Sequence, residues 1–348
     1  MRIVHNPEHH RHDARHEMFR GRLVPCHETP DRLAFVLEAL RQRPVGLLCL
    51  PDPVSDAVLA AVHSPRYLDF LAGAWDAWVA LDPANAALDI LPSVWPVRGF
   101  RHDVVPGNFA AQLGLYSFDA GSPMVAGTWS AARAGAACAV TAARAVLAGE
   151  RSAVALTRPP GHHAGPDFFG GYCFLNNAAL AAQALRDGGA ARVAVLDVDY
   201  HHGNGTQTIF DARDDVLTVS LHGDPMTEYP FFLGHADETG QGAGLGFNLN
   251  LPLPRGTSAE TWFDTLDQAA QGVARFRPEA LVVALGVDTF EGDPISGFHL
   301  RSADYLRLGE RLARLGLPTV FTMEGGYAVA EVGTNVVNVL QGYMERAP

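Results

Sequence analysis

The sequence contains no lysine; all 26 of its Lys-or-Arg positions are arginine. That excludes Schiff-base and lysine-nucleophile chemistry. Cysteine is scarce as well. Cys26, Cys49, Cys138 and Cys173 are far apart, so there is neither a zinc ribbon nor a redox pair. Cys49, Cys138 and Cys173 lie in apolar surroundings and read as buried small residues, which suits a reducing compartment. Positive charge is in deficit, with 38 acidic side chains against 26 basic ones and a formal charge of −12. This argues against nucleic acid as a partner and favours a cationic ligand. Long apolar runs are missing too. The run from Ala280 to Ala284 is far too short to span a membrane. The N-terminal Met-Arg-Ile-Val-His-Asn-Pro is too polar for a signal peptide. A cytoplasmic protein is expected, with no nucleic-acid or membrane partner.

What is present is a chain of 348 residues with 48% hydrophobic content, enough for one large α/β domain or two smaller ones. Residues 1–29 carry His5, His9, His10, His12 and His16 with several Arg and Glu17, and read as an exposed or rim loop. Residues 30–80 look mostly helical, with a short strand at 45–50. Residues 81–125 carry scattered Pro, Gly and aromatics without a period, which suggests a lid or an interface. From residue 126 strands and helices alternate. Strands are expected at 152–156, 191–197, 216–221, 248–251, 280–286 and 319–323, and helices at 128–147, 176–185, 205–211, 332–344 and after caps at Thr257 and Ser302. Alternation means a parallel sheet with helices on both faces. No linker follows residue 126, so one domain is expected.

The chemistry gathers after the strands, where open parallel sheets bind ligands. The strand ending at Asp197 runs into Asp-Val-Asp-Tyr-His-His-Gly-Asn-Gly205. Residues two apart share a strand face, so Asp197, Asp199 and His201 can point together. Carboxylates beside a strand core need a cation among them. Asp199, His201 and Asp288 supply two carboxylates and an imidazole and leave positions open, as catalytic metal sites do. Zinc is the default, and Fe(II) or Co(II) would suit the oxygen-rich set. His162 and His163 offer general base and acid. Asp197 is a natural partner for the second nitrogen of His162, and Asn204 for that of His163. The two histidines should therefore differ in pKa. Tyr327, after Gly-Gly, can donate to an oxyanion. The set describes metal-assisted amide hydrolysis.

These residues lie in motifs that resemble the histone deacetylase superfamily: Pro159-Pro-Gly-His-His-Ala-Gly165, Gly170-Gly-Tyr-Cys-Phe-Leu-Asn-Asn177, Asp197 to Thr206, Val219-Ser-Leu-His222, Leu285-Gly-Val-Asp288 and Met323-Glu-Gly-Gly-Tyr327. Phe169 to Tyr172, Asn204, His222-Gly-Asp-Pro225, Asp288-Thr-Phe-Glu291 and the long 81–125 segment most resemble its bacterial acetylpolyamine amidohydrolase branch. The resemblance implies the arginase/deacetylase fold over 1–348, with a central sheet of about eight strands. It implies zinc on Asp199, His201 and Asp288, and His163 as the proton shuttle beside His162. Tyr327 would polarise the acetyl carbonyl, and the Gly171 carbonyl would accept the substrate amide. Tyr172 and Tyr229 would flank the alkyl chain; the second of these positions is often Phe. Glu17 would face the distal amine. A structural potassium ion would touch Asp197, Asp199, His201, Ser220 and Leu221, with a second near Phe210 and Val216. The 81–125 segment would form a homodimer and narrow the entrance; some relatives carry an acidic residue near Ala110. The substrate implied is a small cationic N-acetylated amine such as acetylputrescine, acetylcadaverine or acetylspermidine. The rival readings are an acetyl-lysine deacetylase acting on peptides and a non-catalytic binding protein of the same fold. A two-manganese ureohydrolase would need a further carboxylate where Thr289 stands.

Overall fold

The computed structural model describes residues 1–347. Eight strands form one parallel sheet: β1 (Arg2–His5), β4 (Leu47–Cys49), β5 (Ser152–Leu156), β6 (Val193–Asp197), β7 (Val216–Gly223), β8 (Asn248–Leu253), β9 (Ala280–Leu285) and β10 (Thr319–Met323). Between β1 and β4 lies a separate hairpin of β2 (His16–Phe19) and β3 (Arg22–Pro25). The order across the sheet is β4-β1-β5-β10-β9-β6-β7-β8, and every neighbouring pair is parallel. The last two strands are threaded into the middle. That places the C-terminal ends of β5, β10, β9, β6 and β7 side by side, although they lie as far apart in sequence as Leu156 and Met323.

Strands β5, β6, β7, β9 and β10 are buried along their whole length, as expected for a sheet covered on both faces. Their side chains divide with the two-residue period. Val4, Ala153, Ala155, Val195, Val282 and Val320 face a core completed by the helices Thr128–Leu147 and Asn177–Asp187. Ile3, Val154, Leu196, Val283 and Phe321 face the other core. Four helices complete that core: Asp31–Gln42, Ala259–Phe276, Asp304–Ala313 and Val329–Arg346. The first core is rich in alanine on both helix and strand, which lets Thr128–Leu147 lie close to the sheet.

Several local expectations change. Residues 1–29 are not a loop: β1 pairs with both β4 and β5, and the hairpin follows. Only Ile3 and Val4 mark β1 as apolar, too few to show a period. The 259–276 helix is capped by Ser258, whose hydroxyl accepts the Thr261 N–H at 3.3 Å, while the Thr257 hydroxyl donates to the Pro254 carbonyl at 2.7 Å. Ser302 caps nothing; the Asp304 carboxylate instead takes the Arg301 N–H at 2.9 Å. Cys138 and Cys173 are buried, but Cys49, on the edge strand, is partly exposed; all four cysteines are free. The 81–125 segment contains a 3-10 turn at Pro83–Ala87 and a helix at Phe109–Tyr116. The Asn108 side chain caps that helix by accepting the Ala111 N–H. The rest is irregular, and Val94, Val97, Phe100, Val104 and Val105 are exposed. No described helix is long and apolar enough to cross a membrane.

Candidate active site

Strand β6 stops at Asp197, so Asp199 and His201 lie past its end rather than on its face. Side-chain carboxylates organise this turn. Asp197 Oδ1 accepts the Asp199 N–H at 3.1 Å, and Asp199 Oδ1 accepts the His201 N–H at 2.9 Å. Asp288, after β9, accepts the Tyr200 N–H at 2.8 Å. Short polar side chains that bond the backbone two residues on are how Asp stabilises such turns. The result brings Asp199, His201 and Asp288 together, with donor atoms all within 4.8 Å of one another and all three residues buried. His201 Nδ1 lies 3.0 Å from Asp288 Oδ2 and 3.4 Å from Asp199 Oδ1.

The tandem histidines follow β5. His162 Nδ1 is 2.9 Å from Asp197 Oδ2, and His163 Nδ1 is 2.6 Å from Asn204 Oδ1. Both partnerships expected from sequence are present. Burial disfavours the charged imidazolium of His162, but the carboxylates of Asp199 and Asp197 outweigh it and lift the pKa to about 10. His163 is pushed the other way, well below the usual histidine value, by burial and by the neighbouring charge of His162. Asp199 is held low because His162 and His201 overcome its burial. Burial and the repulsion of Asp199 raise Asp288 to about 7.

Asp197, Asp199, Asp288 and Glu324 place four carboxylates in the protein interior. Such a concentration is costly without cations, and the Asp199–His201–Asp288 set fits a divalent one. A glycine opposite keeps room for it: a Cβ on Gly325 would lie 2.5 Å from Asp288 Oδ2 and 2.6 Å from Asp199 Oδ2. A second group, His162, Cys173 and Glu324, is equally compact but already committed. Glu324 Oε2 accepts the N–H groups of Gly161 and His162 at 2.6 and 3.1 Å, and the Cys173 thiol donates to the Gly171 carbonyl at 3.3 Å. The residues named for potassium gather at adjacent strand ends, with Asp197 opposite Ser220 in the β6–β7 register. Val216 opens β7, and Phe210 ends the helix Asn204–Phe210 that precedes it.

A cavity of about 520 Å³ leads to this floor, lined by Glu17, Asp119, His163, Gly171, Tyr172, His201, Tyr229 and Tyr327 among others. Tyr172 packs edge-on against Tyr327 with ring centres 5.6 Å apart, and Tyr229 against His163 at 5.2 Å. Both wall tyrosines are tethered to acids. The Tyr172 hydroxyl donates to Glu17 Oε1 at 3.1 Å, and the Tyr229 hydroxyl to Asp119 Oδ2 at 2.7 Å. Asp119 Oδ2 also accepts the Gly171 N–H at 2.7 Å. Gly171 is in the left-handed region at φ 54°, and a Cβ there would strike the His163 ring, so glycine is required. Burial raises Tyr327 well above the ordinary phenol value, so it stays protonated and can donate; the nearby Arg32 acts in the opposite direction but does not prevail.

Comparison with protein families matches the histone deacetylase domain to residues 26–343. The chain belongs to the histone deacetylase family. Among curated relatives it is 52% identical to acetylpolyamine amidohydrolase 1 of Pseudomonas aeruginosa, over 99% of each chain. It is 45% identical to the acetylpolyamine amidohydrolase of Mycoplana ramosa, over 98% of this chain and 99% of that one. The crystal structure of acetylpolyamine aminohydrolase from Burkholderia pseudomallei superposes with a TM-score of 0.93 at 40% identity, over 99% of this chain and 98% of that one.

Within this histone deacetylase family member, sequence reasoning missed residues that organise the site from a distance. Asp119 and Ser122, whose hydroxyl oxygen accepts the Tyr172 N–H at 2.9 Å, lie in the aperiodic segment and carry no local signal. Arg32 sits on the outer helix Asp31–Gln42. Its Nε donates to the Gly326 carbonyl at 2.7 Å, a second nitrogen reaches the Glu324 carbonyl, and its guanidinium lies 4.6 Å from the Tyr327 ring centre. Glu324 was findable, since it follows β10 directly inside a quoted motif.

Proposed function

We propose that this protein is a metal-dependent amidohydrolase that deacetylates small cationic N-acetylated polyamines and diamines, releasing acetate and a free amine. One observation carries the reading. The Asp199–His201–Asp288 set, the His162–His163 pair and Tyr327 converge on the floor of a single cavity whose wall bears the Glu17 and Asp119 carboxylates. The names of the relatives at 45–52% identity support the substrate class.

A divalent ion held by Asp199, His201 and Asp288, zinc by default with Fe(II) and Co(II) as substitutes, would supply Lewis-acid polarisation of the acetyl carbonyl and of the attacking water. This chain's own residues do the rest. With Nδ1–H directed at Asn204 Oδ1, the Nε2 of neutral His163 is free to take the proton from water and to pass it to the departing amine nitrogen. His162, charged and paired with Asp197, keeps the electrostatics of the floor fixed. The Tyr327 hydroxyl donates to the carbonyl oxygen as negative charge develops there. The Gly171 carbonyl accepts the substrate amide N–H, the rings of Tyr172 and Tyr229 exclude water along the methylene chain, and Glu17 meets the distal ammonium. We assign potassium to Asp197, Asp199, His201, Ser220 and Leu221, as a brace behind the divalent site. The exposed apolar side chains of 81–125 support a homodimer through that segment, and four free cysteines support a reducing, cytoplasmic setting.

The test compares kcat/KM for acetylputrescine, acetylcadaverine, acetylspermidine and an acetyl-lysine peptide. Preference for the acetylated amines is expected. A clear preference for the peptide would move the protein to the protein-deacetylase reading, with the same floor chemistry.

A further inference from the structure

The geometry points to Asp293 as a positioning residue for Tyr327, one that fixes where the phenol enters the cavity; the inference rests on the role given to Tyr327 above. Asp293 is on the same loop as Asp288 and is 9% exposed. Its Oδ2 accepts the Tyr327 N–H at 2.7 Å and the Ala328 N–H at 3.3 Å. Its Oδ1 accepts the Ile295 N–H at 3.1 Å, and Ile295 lines the cavity.

The segment it grips has little stiffness of its own. Gly325 and Gly326 precede Tyr327, and Gly326 stands at φ 132°, open to glycine and strained for other residues. Two external charges hold it. Arg32 binds the carbonyls of Glu324 and Gly326 from one side. Asp293 binds the amides of Tyr327 and Ala328 from the other, just ahead of the helix Val329–Arg346, where a negative charge is also favoured by the helix dipole. Charge-assisted bonds are about twice as strong as neutral ones. Without Asp293 two inward N–H groups lose their acceptor, and the glycine pair lets the ring move. A displacement of about 1 Å at a reacting group can cost roughly 10²-fold in rate. The same loop carries Asp288 at one end and the tyrosine tether at the other, so it sets the distance between the donor triad and the phenol.

The experiment is a double-mutant cycle on the metal-loaded protein with acetylputrescine, comparing wild type, Asp293→Asn, Tyr327→Phe and the double variant. Metal content and thermal melting are measured alongside. Asp293→Asn keeps the shape and weakens the acceptor. It is expected to lower kcat by about 10-fold or more, with KM changed less than about twofold, full metal content and a cooperative melt. On the Tyr327→Phe background the same change is expected to cost less than about twofold, because there is no phenol left to misplace. Equal losses on both backgrounds, an effect on KM alone, an unchanged kcat, or loss of bound metal would each overturn the assignment. If Asp293→Asn does not fold, Asp293→Glu keeps the charge on a longer arm and is held to the same non-additivity. An unchanged kcat in Tyr327→Phe alone would sink the reading of the tyrosine and this inference together. A depressed Tyr327→Phe with additive Asp293 losses sinks only this inference.

Discussion

The floor and the mouth of the cavity are built in opposite ways. On the floor the ionisable side chains are buried and partnered: His162 by Asp197, His163 by Asn204, Glu324 by two backbone amides. All of these come from the ends of central strands or the loops that follow them. The mouth is assembled from the hairpin, the 81–125 segment and the loop around Tyr229. Phe19 and Phe231 line it and are exposed, and Phe232, next in sequence, is 90% exposed. A floor of interlocked buried charges has one workable arrangement, because removing a single partner strands the other at a cost of roughly 3–5 kcal/mol. The mouth has no such constraint, so it is free to decide which acetylated amine gets in.

Stripping the metal attacks the floor at its root and should have the largest effect. A strong chelator is expected to abolish acetate release and to lower the melting temperature. An ion present at 100 to 1,000 times its Kd contributes roughly 2.7–4.1 kcal/mol to stability. Re-addition of Zn(II), Co(II) or Fe(II) should restore turnover, and full activity in the chelated, metal-free protein would remove the basis for the site. Next in size, Tyr327→Phe should reduce kcat by about 10²–10³-fold with KM little moved, as for loss of one oxyanion donor. A steady-state assay with acetylputrescine decides it.

Glu17 tests the boundary between the two regions. Burial lifts its pKa to about 7, against the pull of the His27 N–H and the Tyr172 hydroxyl. Its charge therefore appears only as pH rises through about 7. KM for a cationic substrate should fall from pH 6 to pH 8, and Glu17→Gln should raise KM at pH 8 by about 10-fold, the worth of a charged hydrogen bond, and flatten the profile. The stability sign is opposite. A raised carboxylate favours the fold at low pH and loses that contribution as pH climbs from the ordinary 4.5 through about 7. Glu17→Gln should therefore melt higher than wild type at pH 8 and not at pH 5. A KM that is flat with pH in the wild type would separate Glu17 from substrate binding.

The smallest effect on chemistry is expected in the exposed apolar part of the 81–125 segment. Phe100→Asp should dissociate the proposed homodimer in sedimentation experiments while kcat changes less than about threefold. A protein that sediments as a monomer before the substitution would end the dimer reading.

Legibility followed the same division. Strands β5, β6 and β9 announce themselves as nearly continuous apolar runs, β7 and β10 as apolar runs broken by Thr and Ser, and the candidate catalytic groups follow β5, β6, β9 and β10 in sequence. β1 was missed because two apolar residues make no pattern, although the tertiary fold seats them between β4 and β5. The cap expected at Thr257 falls one position on, at Ser258, and the one expected at Ser302 is replaced by the Asp304 carboxylate accepting the Arg301 N–H, because several adjacent polar residues could each serve and only the backbone geometry chooses. Asp119, Arg32 and Asp293 were invisible for a different reason. Each acts on residues far away in the chain, and a lone Asp or Arg carries no local sign of that.

By itself the sequence determined the parallel α/β architecture, the absence of lysine chemistry, and the residue types at the strand ends that make a metal-assisted hydrolase. Those are local properties, set by period and by motif. Only the tertiary structure decided that β9 and β10 enter the sheet between β5 and β6. That threading brings Asp288 to Asp199 and His201, and Tyr327 to the same floor. It also decided that Glu17 and Asp119 tether the wall tyrosines and that Arg32 and Asp293 hold the tyrosine loop from two sides. These outcomes depend on which distant segments share a low-dielectric interior, where a buried charge must find its partner wherever the chain supplies one.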